Sequence, residues 1–142
     1  RYSSSAASDV YKRQGVNIKG TILKPNMVLA GQSSISQLSH DEVADLTMKC
    51  LKENVPAELP GIAFLSGGQS DLDATANLDA LNKKGGNPWK LTFSYGRALQ
   101  QAALKAWMGD EGNTQSAQDA FSHRAEMNKL AALGQWDKRL EG

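Results

Sequence analysis

The feature that most limits what this chain can become is an alternation. Three short apolar, β-branched runs, each closed by a proline or a glycine, are separated by stretches whose apolar residues recur at helical spacing. Val16 to Lys24 reads as a first strand, ended at Pro25. Ser39-His40-Asp41-Glu42 matches the capping box, in which the serine and the glutamate three residues on satisfy free N–H groups at a helix start. Val43, Leu46, Thr47, Cys50 and Leu51 then predict one buried helical face, stopped by Pro56 and Pro60. Gly61 to Ser66 reads as a second strand and Gly67-Gly68-Gln69 as a turn. A helix opens at Ser70-Asp71-Leu72-Asp73, runs through Ala74, Leu78 and Leu81, and ends at Gly85, Gly86 and Pro88. Leu91 to Tyr95 is a third strand halted at Gly96. Helices are predicted over Arg97 to Met108 and about Thr114 to Leu133, with the tail Gly134 to Gly142 expected to fray.

Strand and helix in strict succession are the grammar of an α/β fold, a parallel sheet with crossover helices. A doubly wound open sheet and a (β/α)8 barrel both fit, and periodicity does not separate them. In either, ligands meet the C-terminal ends of the strands. That rule selects three places: Lys24-Pro25-Asn26, Ser66-Gly67-Gly68 and Ser94-Tyr95-Gly96-Arg97.

Composition removes several function classes. The 142 residues are 40% hydrophobic and 22% charged with a net charge of +1, and the charges are interspersed. This fits one soluble globular unit and gives no footprint for nucleic acid or an anionic membrane. No run approaches the roughly 18 apolar residues of a membrane helix. The single cysteine, Cys50, excludes a disulfide framework, reads as a small buried hydrophobe, and leaves a reducing cytosol as the default compartment. Residues 1–14 are serine-rich and differ in texture from the rest of the chain. Residues 4–14 resemble a translated sequencing adapter, so native sequence, a single domain over 15–142, is expected to begin near Gly15.

Lys24 is the most informative of the strand ends. A following proline keeps it extended, so Ile22 and Lys24 point to the same side. In a barrel that side can be the interior mouth, where an ammonium loses hydration and a lysine becomes a carbonyl nucleophile. A lone lysine at a strand end also fits a side chain reaching to solvent. Ser66-Gly67-Gly68 suits a phosphate: glycines let backbone N–H groups approach an anion, the next helix start adds partial positive charge, and Ser66 can donate. It is neither a Walker A loop nor G-x-G-x-x-G, and taken alone it reads more simply as a plain turn. Arg97 after Tyr95-Gly96 offers a forked donor for phosphate oxygens, or a surface ion pair. Read as the sixth, seventh and eighth strands of a barrel, the three ends put an amine and a phosphate cradle on one rim, which implies a phosphorylated ketone or aldehyde. His40 and His123 lack partners at metal-ligand spacing, and Trp89, Trp107 and Trp136 read as packing residues.

Three segments, Gly20 to Val28, Gly61 to Ser70 and Pro88 to Gln100, closely resemble class I (Schiff-base) fructose-1,6-bisphosphate aldolase, in order and spacing, from about Gly15 to Leu133. The resemblance implies the C-terminal part of a (β/α)8 barrel, about strands 6–8 with their helices. It also implies reversible cleavage of fructose 1,6-bisphosphate to dihydroxyacetone phosphate and glyceraldehyde 3-phosphate. Lys24 matches the Schiff-base lysine; Ser66, Gly67 and Gly68 match the phosphate-binding loop; Ser94, Gly96 and Arg97 match its partner contacts. No metal or organic cofactor is required in the class, and a cytoplasmic homotetramer is implied for a full-length parent. The acid/base glutamate, a second lysine and a catalytic aspartate belong to earlier strands absent here, and a barrel takes about 250 residues. The chain alone is therefore expected to be inactive and prone to aggregate through open strand edges. A non-catalytic sugar-phosphate-binding or structural protein on the same fold is the alternative. An open-sheet nucleotide binder would need a glycine fingerprint after the first strand, where Lys24-Pro25-Asn26 stands instead.

Overall fold

The computed structural model describes residues 13–142, so the segment expected to be foreign lies almost wholly outside the described residues. Three strands, β1 (Ile22–Leu23), β2 (Gly61–Phe64) and β3 (Lys90–Phe93), form a parallel sheet in the order β1-β2-β3. The register sets Leu23 opposite Ile62 and Ile62 opposite Leu91. The helices are α1 (His40–Asn54), α2 (Asp71–Lys84), α3 (Arg97–Trp107) and α4 (Thr114–Ala132).

Among the described residues the sheet is covered on one face only. Ile62, Phe64 and Leu91 are buried there with Val43, Met48, Leu51, Ala74, Leu78 and Leu81 of α1 and α2 in one core. Ile62, Phe64, Leu78 and Leu81 are fully buried, each removing an apolar side chain from water at a gain of about 1.5–3 kcal/mol. Side chains alternate across a strand, so Ile22 and its successors at two-residue steps point the other way, and Ile22 is 68% exposed. Only the helix-facing layer of a barrel is closed by this chain.

The first strand is shorter than the apolar run predicts. A 3-10 turn occupies Ile18–Gly20, because the Asn17 side chain accepts from Lys19 N (3.1 Å) and Thr21 Oγ1 donates to Ile18 O (2.8 Å). Short polar side chains bonding to nearby backbone outcompete a ladder there.

The capping box at Ser39 and Glu42 forms as predicted, with Ser39 N donating to the Glu42 carboxylate at 2.8 Å. That backbone bond, joined by the one from the Ser39 hydroxyl, holds the Glu42 carboxyl below its ordinary range. The buried stripe of α1 is Val43, Ala44, Thr47, Met48 and Leu51. It is rotated from the predicted face, so Leu46 is 42% exposed and Cys50 is an exposed thiol rather than a buried hydrophobe. Both stripes satisfy helical spacing, and the one the fold adopts includes the fully buried Ala44. Thr47 is satisfied in its burial by accepting the Val28 N–H at 2.9 Å, which ties the loop after β1 to the helix.

The tail does not fray. Gly134 (φ +67°) turns the chain back so closely over α2 that an added Cβ would meet the Lys83 backbone at 3.3 Å. Trp136 N then donates to Asp79 Oδ1 (3.0 Å), and a 3-10 turn forms at Lys138–Glu141. There Glu141 receives the buried Arg124 guanidinium through both terminal nitrogens and Trp136 Nε1 at 2.8 Å. Trp89 is buried with Nε1 on Pro56 O (2.9 Å), whereas Trp107 is 43% exposed and does not act as a core residue. No helix among the described residues is long and apolar enough to cross a membrane.

Candidate active site

The three strand ends are stitched along one edge of the sheet by main-chain and side-chain bonds. Leu65 N donates to Pro25 O at 3.0 Å, joining the exits of β1 and β2. Asn26 Nδ2 donates to Gly67 O at 3.1 Å while its Oδ1 accepts Met27 N at 3.0 Å. Ser94 N donates to Phe64 O at 2.8 Å, joining the exits of β2 and β3. Neighbouring strands lie about 4.8 Å apart, so Lys24, the 66–68 turn and the 94–97 segment share one rim.

Lys24 follows β1 on the same face as Ile22, away from the helices, and its side chain is exposed. The apolar wall expected around it is not built by the described residues, because three strands cannot close on themselves. Ser66 and Gly67 are half-buried and Gly68 is exposed. Gln69 N closes the turn on Ser66 O at 3.1 Å. Gly68 sits at φ +77°, where a Cβ is disfavoured, and a Cβ on Gly67 would approach Leu65 Cδ1 to 3.1 Å. Ser94, Gly96 and Arg97 are exposed beside it.

The two helix starts at this rim differ in charge, a distinction that strand and helix spacing alone does not make. At α2 the Ser70 hydroxyl accepts Asp73 N (3.0 Å) and donates to the Asp73 carboxylate (2.6 Å), and Asp71 and Asp73 occupy the first turn. That helix start is already served by its own carboxylates and offers an outside anion little. At α3 the cap is Gly96, with no side-chain cap bond, no acid in the first turn, and Arg97 as its first residue. The free N–H groups and the cation there suit an anion. Of the two helix starts, the one after β3 is the one open to an anion, while the 66–68 turn offers backbone and hydroxyl donors.

Two supporting residues are not singled out by sequence reasoning. Tyr95 is buried, its hydroxyl donates to Ala74 O at 2.8 Å, and its ring lies 5.4 Å from that of Phe93; burial pushes its phenol well up. It anchors the 94–97 segment to α2. Asn26 ties the lysine-bearing loop to the glycine turn. An asparagine after a proline at a strand end is the signal that marks it, but its partner is 41 residues away. Among the described residues no group of His, Cys, Asp and Glu could hold a metal ion. His123 instead lies 3.6 Å from Glu141 Oε2.

The family model described as "Glycolytic: Fructose-bisphosphate aldolase class-I" matches residues 5–142. The chain is 56% identical over 122 residues to fructose-bisphosphate aldolase 2 of Caenorhabditis elegans, covering 85% of this chain and 33% of that one. It is 55% identical over 124 residues to a probable class 1 fructose-bisphosphate aldolase of Xanthomonas axonopodis pv. citri, covering 87% and 37%. In structure it resembles the fructose-bisphosphate aldolase of Plasmodium falciparum, solved in complex with TRAP and a small-molecule inhibitor. The TM-score is 0.91 at 42% identity, over 94% of this chain and 39% of that one. The chain spans about a third of the length of the curated relatives it matches, and its sheet and crossover helices are part of a (β/α)8 barrel. With its strand order, its rim of turns and these similarities in agreement, the chain belongs to the class-I fructose-bisphosphate aldolase family.

Proposed function

We propose that a protein carrying this chain cleaves fructose 1,6-bisphosphate reversibly to dihydroxyacetone phosphate and glyceraldehyde 3-phosphate, with Lys24 as the Schiff-base nucleophile. The amine of Lys24 attacks the C2 carbonyl carbon, and loss of water leaves an iminium. The C3–C4 bond breaks and its electron pair enters the iminium to give an enamine, while the proton of the C4 hydroxyl goes to a base and the aldehyde leaves. Protonation at C3 and hydrolysis release the ketone and return the lysine. Ser66, Gly67, Gly68, Ser94, Gly96 and Arg97 hold a phosphate of the substrate, and Arg97 with the α3 start carries most of its charge. The proton-transfer groups belong to parts of the barrel outside this chain, so the isolated chain does not catalyse the reaction and tends to aggregate. The full-length parent is read as a cytoplasmic homotetramer needing no metal or organic cofactor.

The observation that carries this reading is the joining of the Lys24 loop to the glycine turn through Leu65 N to Pro25 O and Asn26 Nδ2 to Gly67 O. It supports the reading because it ties the lysine-bearing loop to the glycine turn one strand away at the same edge of the sheet. Borohydride reduction of the full-length parent with dihydroxyacetone phosphate, followed by peptide mapping, tests it. The adduct is expected on Lys24; an adduct on another lysine, or none, refutes the assignment.

A further inference from the structure

We infer that a one-way hydrogen-bonded relay, His40 to Asn77 to Gln69, positions the 66–69 turn for its anion, which makes His40 and Asn77 positioning residues. The inference rests on the phosphate-binding reading of that turn and adds residues the reading does not use. Asn77 lies in α2 and is only 3% exposed, yet it is an amide where an apolar residue would pack. Both ends of it are engaged: Nδ2 donates to Gln69 Oε1 at 2.9 Å, and Oδ1 lies 2.8 Å from His40 Nδ1. With the Asn77 carbonyl oxygen on that side, Nδ1 of His40 is the nitrogen that carries the proton, and the bonds run from His40 through Asn77 to Gln69.

The relay ends on Gln69 Nε2, which is buried and has no hydrogen-bond partner among the described residues. The same residue's backbone N–H closes the turn on Ser66 O. A buried donor left unpaired is costly and rare, and here it is the outcome of the relay's direction. Were the Asn77 amide reversed, Gln69 would have to reverse as well and turn its carbonyl oxygen, an acceptor, to where its N–H group now lies. That reversal would also need the other tautomer of His40, with the proton on Nε2 and Nδ1 accepting from the Asn77 amide, so all three side chains would have to change together. A cleft of about 250 Å³, lined by Leu29, Leu38, His40, Gly68, Gln69 and Asn77 among others, runs alongside the relay. The cooperativity of linked amides stiffens such a chain when each member is oriented by the one before it. The relay therefore reaches from the first residue of α1 to the turn that bears Ser66, Gly67 and Gly68, a connection spanning 37 residues at its first link.

The test measures the affinity of inorganic phosphate by calorimetry, and KM against kcat, in the full-length parent. Asn77→Leu is expected to weaken phosphate binding about tenfold and His40→Leu about threefold, the range for losing one net neutral hydrogen bond. Both should raise KM with little change in kcat. His40 is exposed at a helix start, so His40→Leu does not endanger folding, and His40→Gln, whose amide N–H can serve Asn77 Oδ1, should restore wild-type affinity. Ser66→Ala and Arg97→Ala separate the two claims. If they weaken phosphate binding while the Asn77 and His40 variants do not, the relay is overturned and the turn's reading stands. If Ser66→Ala and Arg97→Ala also leave it unchanged, the reading of the turn fails and the relay falls with it.

Discussion

Replacing Glu141 should release the C-terminal segment from the body of the fold. The Glu141 carboxylate accepts from Arg124 Nη1 at 3.1 Å, from Arg124 Nη2, and from Trp136 Nε1 at 2.8 Å. The side chains of Arg124 and Glu141 are 6% and 13% exposed, so the pair is largely screened from water. Hydrogen bonds to charged groups contribute about 1.5–3 kcal/mol net, and breaking a buried pair by removing one partner costs about 3–5 kcal/mol. Discounted for the partial exposure of Glu141, Glu141→Gln should cost about 3 kcal/mol, since Arg124 keeps only the Thr75 hydroxyl (3.0 Å) as a full acceptor. At 1.4 kcal/mol per decade, hydrogen exchange in a peptide spanning 134–142 should quicken about 100-fold, while α1 is unaffected. Arg124→Met together with Glu141→Leu should recover much of the loss, because apolar replacements leave no unpaired charge. Burial pushes the Glu141 carboxyl up, but the bonds from Arg124 and Trp136 and the charges of Arg124 and His123 outweigh it and hold it below its ordinary value. A lowered folded-state value means this stabilisation is fully present above the unfolded value of about 4.5 and disappears as pH falls through the folded one. The exchange difference between wild type and Glu141→Gln, corrected for intrinsic rates, should therefore shrink in acid. Protection within threefold of wild type at neutral pH would refute the idea that this pair holds the tail.

Three further outcomes are expected. Cys50 should react with one equivalent of a thiol reagent in the folded chain at a rate near that of a free peptide thiol, which a buried side chain would not allow. Phe64→Ala should destabilise by about 3–5 kcal/mol in urea unfolding and Ile22→Ala by less than about 0.5 kcal/mol, since the first is fully buried and the second lies on the open face; equal losses would show that the helix-free face is covered in solution. Ser39→Ala should lower stability by about 1 kcal/mol. Glu42 has a lowered folded-state value, so its share of the box is present above about pH 4.5 and lost below, and the effect of Ser39→Ala on midpoint should diminish in acid.

Much of the site was legible because its signals are local. Pro25 constrains Lys24 from one position away, the glycines at 67 and 68 stand where the backbone has to turn, and Ser39 and Glu42 meet within one helical turn. The three strand ends, the helix starts and the parallel order arise from such short-range preferences and from the alternation itself. Misread features depended on what a segment meets at long range. Helical spacing admits two buried stripes on α1, and the exposure of Cys50 and Leu46 came from packing against α2 and the sheet. The polar ending Lys138-Arg139-Leu140-Glu141 reads as frayed, yet a buried arginine 17 residues earlier gives Glu141 a partner.

The alternation of strands and helices, and the standing of an amine and two glycine turns at strand ends, are written in the order of residues, because they rest on steric limits and hydrogen bonds between neighbours a few positions apart. Long-range packing settled which helix start lacks a side-chain cap, which side of the sheet carries Lys24, and how His40, Asn77 and Gln69 align. Those depend on charges and amides brought together across tens of residues, and no spacing rule in the chain encodes their orientation.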